Sequence, residues 1–456
     1  MSTIVSISTA PGIGGIGIIR MSGEKSFEIL NKIFRPRNPQ DIQEIKGYTM
    51  KYGEIIENEQ IIDEVLVSYF KAPKSYTTEN MCEINSHGGN VIVKKILEIC
   101  LKNGAKLAEP GEFTKRAFLN GRIDLAQAES VIDVINAKSE REAQTGLKQL
   151  EGELSRQIKE IKQEILNVLV NIEVTIDYPE YDNPEIQEAE ISQMLEKINK
   201  KLSELEESFD NGKIIKEGIK TAIIGKPNAG KSSLLNAILK ENRAIVTDIE
   251  GTTRDTIEEF VTVKGIPLKL IDTAGIREAK DEVEKIGISK SIEEAKNADL
   301  IIAIFDSSKE LTNEDLEILE LIKNKKVIIL LNKTDLEMKI KEDDKRLKGI
   351  TSNILKISAL NKQGIENIYD KIAEMFNLNE INFDNELLIT NVRHKNIISN
   401  ALESAKKANE ALILNMPTDI ITIHIKEILE DLGEITGEHV TEDVINEIFS
   451  KFCLGK

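Results

Sequence analysis

The chain has 456 residues, enough for two to four domains with substantial cores. Its net charge of −18 argues against a broadly basic nucleic-acid surface, although a local basic patch stays open. Three cysteines, Cys82, Cys100 and Cys453, form no C-x-x-C pair, so a reducing cytosol is expected and a disulfide framework is not. The amino-terminal residues lack a signal pattern, and no apolar run approaches ~18 residues. These features predict a soluble, cytoplasmic protein without a membrane span.

The first ~118 residues alternate short apolar runs with turn residues, a pattern typical of a mixed α/β domain. Strands are predicted at residues 3–8, 16–21, 64–70 and 81–85, and a helix is predicted at residues 91–103. Residues 12–17 fit the dinucleotide pattern G-x-G-x-x-G, but no helix opens there and no βαβ unit follows. We therefore expect these glycines to serve a turn or a close backbone approach.

From about Leu119 the apolar spacing becomes helical. One stripe runs from Leu147 to Ile172 and predicts a single long helix, and a second stripe runs from Ile191 to Phe209. Residues 178–184 interrupt them, and helical spacing returns at residues 397–414, 420–432 and 444–452. We interpret the stripes as the core of a bundle. An extended α-solenoid is the alternative, but no internal repeat supports it.

A phosphate-binding loop is predicted at residues 225–233, which read GKPNAGKSS and fit G-x-x-x-x-G-K-[ST]. The required context is present, because a strand-like run at 219–224 precedes the loop and a helix-like run at 233–239 follows it. Such a loop directs backbone N–H groups and a helix N-terminus at phosphate. Lys231 is expected to reach the β- and γ-phosphates and Ser232 to hold Mg²⁺. The predicted GTP contacts in this loop are Asn228, Ala229, Gly230, Lys231, Ser232 and Ser233.

Guanine recognition is predicted at Asn332-Lys333-Thr334-Asp335, directly after the apolar strand 327–331. Guanine offers two adjacent donors, and an ionised Asp335 accepts from both. Asn332 is expected to order the loop and meet N7, and the Lys333 stem to cover the base. Ser358 and Ala359, after the strand 354–357, are expected to place a backbone N–H near guanine O6. Taken alone, this tetrapeptide fits an ordinary polar loop after a strand as well as it fits a base-binding motif. Its position after a phosphate-binding loop in the chain favours the base-binding motif.

A further loop, Asp272-Thr273-Ala274-Gly275, ends the apolar strand 266–271. Asp272 suits the outer shell of Mg²⁺, and the Gly275 N–H suits the γ-phosphate. The next residue is Ile276, where some GTPases carry the glutamine that orients water, so another group must do this. Acidic residues follow at 281–284, although spacing alone favours a solvated charged turn there.

The predicted fold class is α/β multidomain. It consists of a mixed α/β domain, a helical bundle domain, and an inserted P-loop GTPase domain with a mostly parallel sheet. The predicted boundaries are 1–118 for the N-terminal domain, 119–216 for the first helical part, 217–377 for the GTPase domain and 378–456 for the second helical part. Insertion is expected because the termini of such GTPase domains lie close together.

The whole chain resembles the tRNA modification GTPase family (MnmE, also called TrmE). The motifs that carry the resemblance are far more specific than a phosphate loop. They occupy residues 10–17 with Arg20, 87–89, 110–114, 116–121, 124–129, 251–255 and 453–456, and read APGIGGIG, HGG, PGEFT, RAFLNG, DLAQAE, GTTRD and CLGK. The family usually has Ile at the position of Leu454, an isomeric change that alters little.

The resemblance implies an activity on tRNA. Members of the family act with a flavin-containing partner (MnmG, also called GidA) on carbon 5 of the wobble uridine, commonly installing a carboxymethylaminomethyl group. It implies a homodimer, which forms a heterotetramer with the partner. It also implies that the N-terminal domain dimerises and binds a 5-formyl-tetrahydrofolate-type carrier through Arg20, Glu83, Arg122 and Lys456. The catalytic Cys453 would be presented toward that pocket.

The resemblance also extends the GTP site. It adds the contacts Thr247, Asp248, Ile249, Glu250, Gly251, Thr252 and Thr253. Among these, Thr253 would be the second Mg²⁺ ligand. Neutral oxygens of Asn228, Thr247, Ile249 and Thr252 would hold K⁺, which places positive charge at the phosphates. Glu284 matches the family position that orients water, which overrides the interpretation of residues 281–284 as a solvated turn.

Two other functions stay open on the sequence. A ribosome-assembly or RNA-chaperone GTPase switch usually has a basic RNA-binding domain, whereas residues 378–456 are not visibly basic and include the cysteine motif. A folate-dependent one-carbon enzyme with a regulatory GTPase is the other alternative. The leading prediction is a K⁺-activated GTPase that drives modification of tRNA.

Overall fold

The structure is a computed structural model that describes residues 2–38, 46–177, 184–241, 259–270, 297–378 and 387–456. The chain forms two compact units. The first unit contains Met1–Ile132, Gln149–Gln163 and Lys426–Lys456, and the second contains Asp133–Lys148 and Glu164–Ile425. Each unit combines segments that are distant in sequence, and the domain boundaries at 118, 216 and 377 stay predictions.

The first unit is built on a seven-stranded sheet with the order β3-β4-β5-β6-β2-β1-β7. Its strands are β1 (Ile4–Ile7), β2 (Ile16–Ser22), β3 (Phe34–Pro36), β4 (Thr49–Glu57), β5 (Gln60–Phe70), β6 (Met81–His87) and β7 (Lys106–Leu107). All neighbours pair antiparallel except β1 with β7. The four predicted strands are confirmed, whereas β3, β4 and β7 were not predicted.

Helices cover one face of this sheet. They are α1 (Ser26–Ile33) and α2 (Asn90–Lys102), and their buried apolar residues share a core with Val5, Ile19 and Met21 of the sheet. Because side chains alternate between the faces of a strand, the neighbouring positions of β4 and β5 point to the other face. Met50, Tyr52 and Leu66 lie there and are 42–57% exposed.

One part of the glycine motif at residues 12–17 makes a close backbone approach, as expected. β2 begins at Ile16, and no helix opens at the motif. Gly14 N donates a hydrogen bond to Gly88 O at 3.2 Å. A Cβ atom on Gly88 would lie 2.5 Å from Gly14 O, closer than any side chain allows. The prediction that this motif continues as a strand and not as a helix is therefore confirmed.

The second unit contains a six-stranded sheet with the order β13-β12-β11-β8-β10-β9. Its strands are β8 (Ile219–Ile224), β9 (Glu259–Val263), β10 (Ile266–Leu270), β11 (Leu300–Asp306), β12 (Val327–Asn332) and β13 (Ile354–Lys356). Only β9 pairs antiparallel. Helices α8 (Lys231–Glu241), α9 (Asn313–Leu321), α10 (Lys345–Lys348) and α11 (Ile365–Met375) belong to the same region.

Alternate residues of the parallel strands enter two separate cores. Leu300, Ile302 and Ile304 belong to one core, while Ile301 and Ala303 belong to the other. A parallel sheet covered on both faces reads as a continuous apolar run, which explains why β8 and β12 were recognisable in the sequence. In such a sheet, ligands bind outside the carboxyl ends of the strands.

The remaining helices are α3 (Glu112–Leu119), α4 (Leu125–Asn136), α5 (Glu140–Leu150), α6 (Glu153–Asp177), α7 (Pro184–Glu217), α12 (Val392–Ile413), α13 (Thr418–Thr436) and α14 (Glu442–Ser450). The prediction of one helix from Leu147 to Ile172 is wrong, because α5 ends at Leu150. The Gln127 side chain donates to Leu150 O at 2.8 Å, which satisfies a free carbonyl at the helix end. Gly152 then adopts φ +83° and turns the chain.

Helices from before and after the nucleotide-binding segment pack together within the second unit. Ile389 N, just before α12, donates to Ser208 Oγ of α7 at 3.2 Å. The Lys395 ammonium lies 5.3 Å from the centre of the Phe209 ring. A Cβ on Gly212 would lie 2.1 Å from Ile389 O, so only glycine admits this crossing. This packing is the one expected if the GTPase segment is inserted in a helical domain.

The apolar stripes are mostly core, as predicted. Leu154, Ile158 and Ile165 in α6 and Leu195 and Leu202 in α7 are each at most 1% exposed. None of the described helices combines the length and apolar character that crossing a bilayer requires.

Candidate functional site

The phosphate-loop segment lies between the end of β8 and the start of α8, at the carboxyl edge of the parallel sheet. Asn228 and Gly230 adopt φ +63° and +110°, which reverses the chain into the helix. A Cβ on Gly230 would lie 2.1 Å from the Asn332 amide nitrogen, and one on Gly225 would lie 2.5 Å from Ile304 O. Both glycines are therefore required by their surroundings as well as by the turn.

Lys231 is held across this loop by the loop's own backbone. Its ammonium donates to Gly225 O at 2.5 Å and to Lys226 O at 2.9 Å. Burial lowers the pKa of Lys231. The following residues, Ser232 and Ser233, are exposed in the first turn of α8. The arrangement presents a partly desolvated cation, a helix N-terminus and a hydroxyl group on one side, which suits a Mg²⁺-bound phosphate chain.

Asn332 joins three loops through a single buried amide. Its Nδ2 donates to Ala229 O in the phosphate-loop segment at 2.8 Å. Its Oδ1 accepts from the backbone N–H of Ala359 at 3.0 Å. The side chain itself ends strand β12, and the residue is only 3% exposed. Asn332 therefore orders the loops as expected, while its contact with guanine N7 stays a prediction.

Asp335 lies at the exposed rim of the same edge, and its carboxylate is oriented by Ser358. Ser358 Oγ donates to Asp335 Oδ1 at 2.6 Å, and Thr334 N donates to Ile357 O at 3.2 Å. These bonds bring the two predicted base-binding segments together. A carboxylate fixed in this way can accept from both guanine donors in one geometry.

The backbone N–H groups of Ser358 and Ala359 both have partners within the protein. Ser358 N donates to Gln363 O at 3.0 Å, and Ala359 N donates to Asn332 Oδ1. A contact from either group to guanine O6 would have to share or replace these bonds. The O6 contact thus stays a prediction.

Sequence reasoning missed Asp306, which ends strand β11. Its carboxylate receives a salt bridge from Lys333 at 2.7 Å and a hydrogen bond from Ser308 Oγ at 2.6 Å. Burial opposes ionisation, but these donors outweigh it, and the pKa of Asp306 lies below its ordinary value. The ion pair fixes the head of Lys333, whose stem is predicted to cover the base. The signal was available, because an apolar run at 300–305 precedes this aspartate.

Several predicted site residues lie outside the described residues. For the γ-phosphate side they are Asp272, Thr273, Ala274, Gly275 and the water-orienting Glu284. For the ion-binding loop they are Thr247, Asp248, Ile249, Glu250, Gly251, Thr252 and Thr253. Their roles stay predictions.

A second candidate site, which we call the N-terminal pocket, lies in the first unit and contains Arg20, Glu83, Arg122 and the segment 453–456. Arg20 and Glu83 face each other on β2 and β6. Their side chains form an ion pair with 2.8 Å between the Nη2 and Oε1 atoms. Arg20 and Glu83, which were each predicted to contact a ligand, are therefore bonded to each other in this structure.

Tyr76 was missed by the sequence analysis, although it connects the cations of the N-terminal pocket. The guanidinium carbons of Arg122 and Arg20 lie 4.5 and 5.5 Å from the centre of the Tyr76 ring. The phenol oxygen of Tyr76 lies 2.9 Å from the Thr114 hydroxyl oxygen. A cation over a tyrosine face is attracted by the ring quadrupole, so Tyr76 helps to hold both arginines in place.

The segment 453–456 is seated on this pocket by backbone contacts. Gly455 O accepts from Ser8 Oγ at 2.9 Å and from Arg20 Nη1 at 3.5 Å. Gly455 has φ +85°, and a Cβ there would lie 2.1 Å from Ile7 O. The Cys453 side chain is exposed, and Lys456 is half-buried. The structure therefore brings Cys453 and Lys456 to the same region as Arg20 and Glu83.

Comparison with known proteins shows which family the chain belongs to. Residues 3–122 match the family model for the GTP-binding protein TrmE N-terminus, and residues 125–453 match that for the MnmE helical domain. The chain belongs to the MnmE family. The tRNA modification GTPase MnmE of Clostridioides difficile is 52% identical over 455 residues, covering 100% of this chain and 99% of its own. MnmE of Acetivibrio thermocellus is 50% identical over 458 residues with the same coverage.

Membership of the MnmE family establishes this chain as a GTP hydrolase of the tRNA modification GTPase type. Among solved structures, the G domain of the T. maritima FeoB iron transporter is 27% identical and covers 34% of this chain and 97% of its own. Its TM-score is 0.26.

Replacing the carboxylate that Ser358 orients tests the base site. We expect Asp335→Asn to weaken GTP binding about tenfold to a hundredfold, because a charge-assisted bond pair is lost. Its amide should favour xanthine nucleotides, whose C2 carbonyl accepts a hydrogen bond. Nucleotide affinities measured by fluorescence titration check this, with Asp343→Asn, an exposed aspartate, as the control. Unchanged GTP affinity in Asp335→Asn would contradict the assignment.

Proposed function

We propose that this chain is a K⁺-activated GTPase that acts in the cytoplasm on tRNA. With a flavin-containing partner (MnmG/GidA) it installs a carboxymethylaminomethyl-type group at carbon 5 of the wobble uridine. The observation that carries the proposal is the seating of the Cys453 segment on Arg20 by Gly455 O. It gives the chain a second polar site in a different compact unit from the nucleotide loops. The full-length similarity to proteins named tRNA modification GTPase supports it.

The N-terminal pocket supports a reduced-folate site. A folate carries carboxylates on its glutamate tail and hydrogen-bond donors on its pterin ring. Arg20 and Arg122 offer guanidinium groups for the former, and Glu83 offers a carboxylate for the latter. Half-buried Lys456 adds a further cation. When bound, 5-formyl-tetrahydrofolate would supply a one-carbon unit, and these residues would bind and orient it beside Cys453.

The nucleotide site supports hydrolysis that depends on ions. Asn228, whose backbone is left-handed, lies exposed in the phosphate-loop segment and offers a neutral side-chain oxygen. Together with Thr247, Ile249 and Thr252 it would hold K⁺, and Ser232 with Thr253 would hold Mg²⁺. Because Ile276 cannot orient the attacking water, Glu284 orients it. We also propose a homodimer, which forms a heterotetramer with the flavin-containing partner.

The two activities should separate at Cys453. We expect Cys453→Ser to hydrolyse GTP normally but to form little modified uridine when it is supplied with the flavin-containing partner, tRNA, GTP and folate. The reason is that Cys453 belongs to a different compact unit from the nucleotide loops. Malachite-green phosphate release and nucleoside mass spectrometry measure the two outputs. Lys451→Ala, at an exposed residue outside the segment 453–456, is the control and should retain both. Full modification by Cys453→Ser would show that the thiol is dispensable.

Folate binding should depend on Arg20. We expect calorimetry with 5-formyl-tetrahydrofolate to show binding that Arg20→Gln weakens roughly tenfold to a hundredfold, since a hydrogen bond to a charged group is lost. Arg35→Gln is the matched control, because Arg35 also pairs with a sheet glutamate, Glu54 at 2.6 Å, at a distant strand. The absence of heat from the wild type at millimolar ligand would refute the folate site.

Hydrolysis should be faster in K⁺ than in Na⁺ at equal ionic strength. Na⁺ is about 0.4 Å smaller in radius and would be under-coordinated by the same neutral oxygens, on the size-based account of selectivity. Phosphate release in the two salts measures this. Asn228→Ala should remove the difference, whereas Glu284→Ala should lower turnover in both salts on the order of 10²-fold. Equal wild-type turnover in the two salts would exclude the K⁺ site.

A further inference from the structure

Two segments of the first unit are positively charged, although the chain as a whole is negatively charged. Residues 46–53 and 65–78 contain four lysines and no acidic residue, although the chain has 78 Asp and Glu among 456 residues. Lys46, Lys71 and Lys74 are exposed, and none of the ion pairs between described residues involves them. We call Lys46, Tyr48, Lys71 and Lys74 the lysine–tyrosine surface.

Backbone contacts bring the two segments of this surface side by side. Tyr48 N donates to Tyr69 O at 2.8 Å. A Cβ on Gly47 would lie 3.5 Å from Lys71 N. The backbone next to Lys46 is therefore close to the backbone of Lys71. Lys74 N donates to Lys71 O at 2.9 Å, which closes a turn carrying both lysines. The backbones of the three exposed lysines therefore lie in one small area of the protein.

Tyr48 is an exposed aromatic residue at the centre of this area. Its residue surface is 69% exposed, and its backbone has φ +61°, a left-handed conformation that is uncommon for a bulky residue. Its ring makes a T-shaped contact with Phe70, with the ring centres 5.9 Å apart and the planes at 89°. The contact restrains the ring while most of it stays open to a flat partner.

The lysine–tyrosine surface adjoins the N-terminal pocket. Lys74 is two residues from Tyr76, so their Cα atoms lie within about 7 Å of each other. The Tyr76 ring in turn carries Arg122 and Arg20. A polymer that crosses the surface could thus place one of its units at the pocket.

We propose that the lysine–tyrosine surface binds the single-stranded anticodon-loop RNA of the tRNA substrate. The proposal rests on the proposed function and adds to it the surface that meets the RNA. Exposed lysines complement the phosphodiester charge, and an exposed aromatic ring stacks on a base of any sequence. A second copy of this chain fits less well, because a two-fold contact presents the same patch on both sides and would bring lysines close to lysines.

Charge removal gives the first test. A fluorescent RNA hairpin with the sequence of a tRNA anticodon stem-loop is titrated with the full protein by anisotropy over a series of KCl concentrations. Each lost phosphate contact on a single strand lowers the slope of log K against log[salt] by about 0.7. We therefore expect Lys71→Ala/Lys74→Ala to lower the slope by about 1.4. The matched control is Lys345→Ala/Lys348→Ala, which removes the same charge from exposed lysines of α10.

Stacking gives the second test. Tyr48→Phe keeps the ring and should bind the hairpin like the wild type, whereas Tyr48→Ala should bind about tenfold more weakly. Circular dichroism and a thermal melt report whether each variant is folded. GTP hydrolysis should be unchanged in the Tyr48, Lys71 and Lys74 variants, because the nucleotide loops belong to the other compact unit.

Three results would overturn the proposal. The first is an unchanged slope in Lys71→Ala/Lys74→Ala while the wild type binds the hairpin. The second is an equal loss in the control pair, which would show that net charge alone matters. The third is a change of oligomeric state in sedimentation that accompanies the loss of RNA binding, which would make the surface a protein interface. A wild type that binds no tRNA hairpin at low salt would also overturn the proposal, whereas the proposed function is tested separately by nucleoside mass spectrometry with the flavin-containing partner.

Discussion

The buried side-chain amide of Asn332 is the interaction on which the nucleotide site depends. It donates to Ala229 O and accepts from Ala359 N, so one residue sets the spacing between the phosphate loop and both base-binding segments. Asn332 is only 3% exposed, and leaving a buried polar group unsatisfied costs about 1–3 kcal/mol. The same side chain explains why residue 230 is glycine, since a Cβ there would overlap the amide. The predicted phosphate-binding and base-binding segments are thus joined to each other by this one side chain.

A comparable constraint organises the N-terminal pocket. Gly455 approaches Ile7 more closely than any residue with a Cβ could, and its carbonyl then meets Ser8 and Arg20. Gly111 also permits a close backbone approach, because a Cβ there would lie 2.8 Å from Phe449 O in α14. Backbone fit, rather than side-chain charge, therefore delivers Cys453 to the pocket. The motifs at residues 110–114 and 453–456 contact each other, since Gly111 N donates to Cys453 O at 3.4 Å.

The sequence predicted local structure well wherever one physical rule dominated. β8 was predicted with its correct bounds, because a strand buried on both faces is a continuous apolar run. The long helix from Leu147 was wrong, since its break depends on Gln127, a residue more than twenty positions away that caps Leu150. Periodicity carries no information about such a contact.

The candidate sites also contain residues that local sequence predicts and residues whose contacts depend on distant parts of the chain. Lys231, Asn332 and Asp335 were predicted from spacing, since each lies at or after the carboxyl end of a strand in the order that a nucleotide site requires. Asp306 and Tyr76 were missed because their roles arise from tertiary neighbours, Lys333 for the first and Arg122 for the second. The Arg20–Glu83 pair joins residues that are 63 positions apart, and only a family resemblance could suggest both before the sheet register was known.

The central claim is that one chain couples a GTP site to modification of the wobble uridine. The most direct measurement is mass spectrometry of tRNA nucleosides from cells of the source organism that lack this protein, with and without a plasmid copy. The account predicts that uridine modified at carbon 5 disappears from the wobble position and returns with the wild-type copy but not with Lys231→Ala. Undiminished wobble modification in the cells that lack the protein would contradict it.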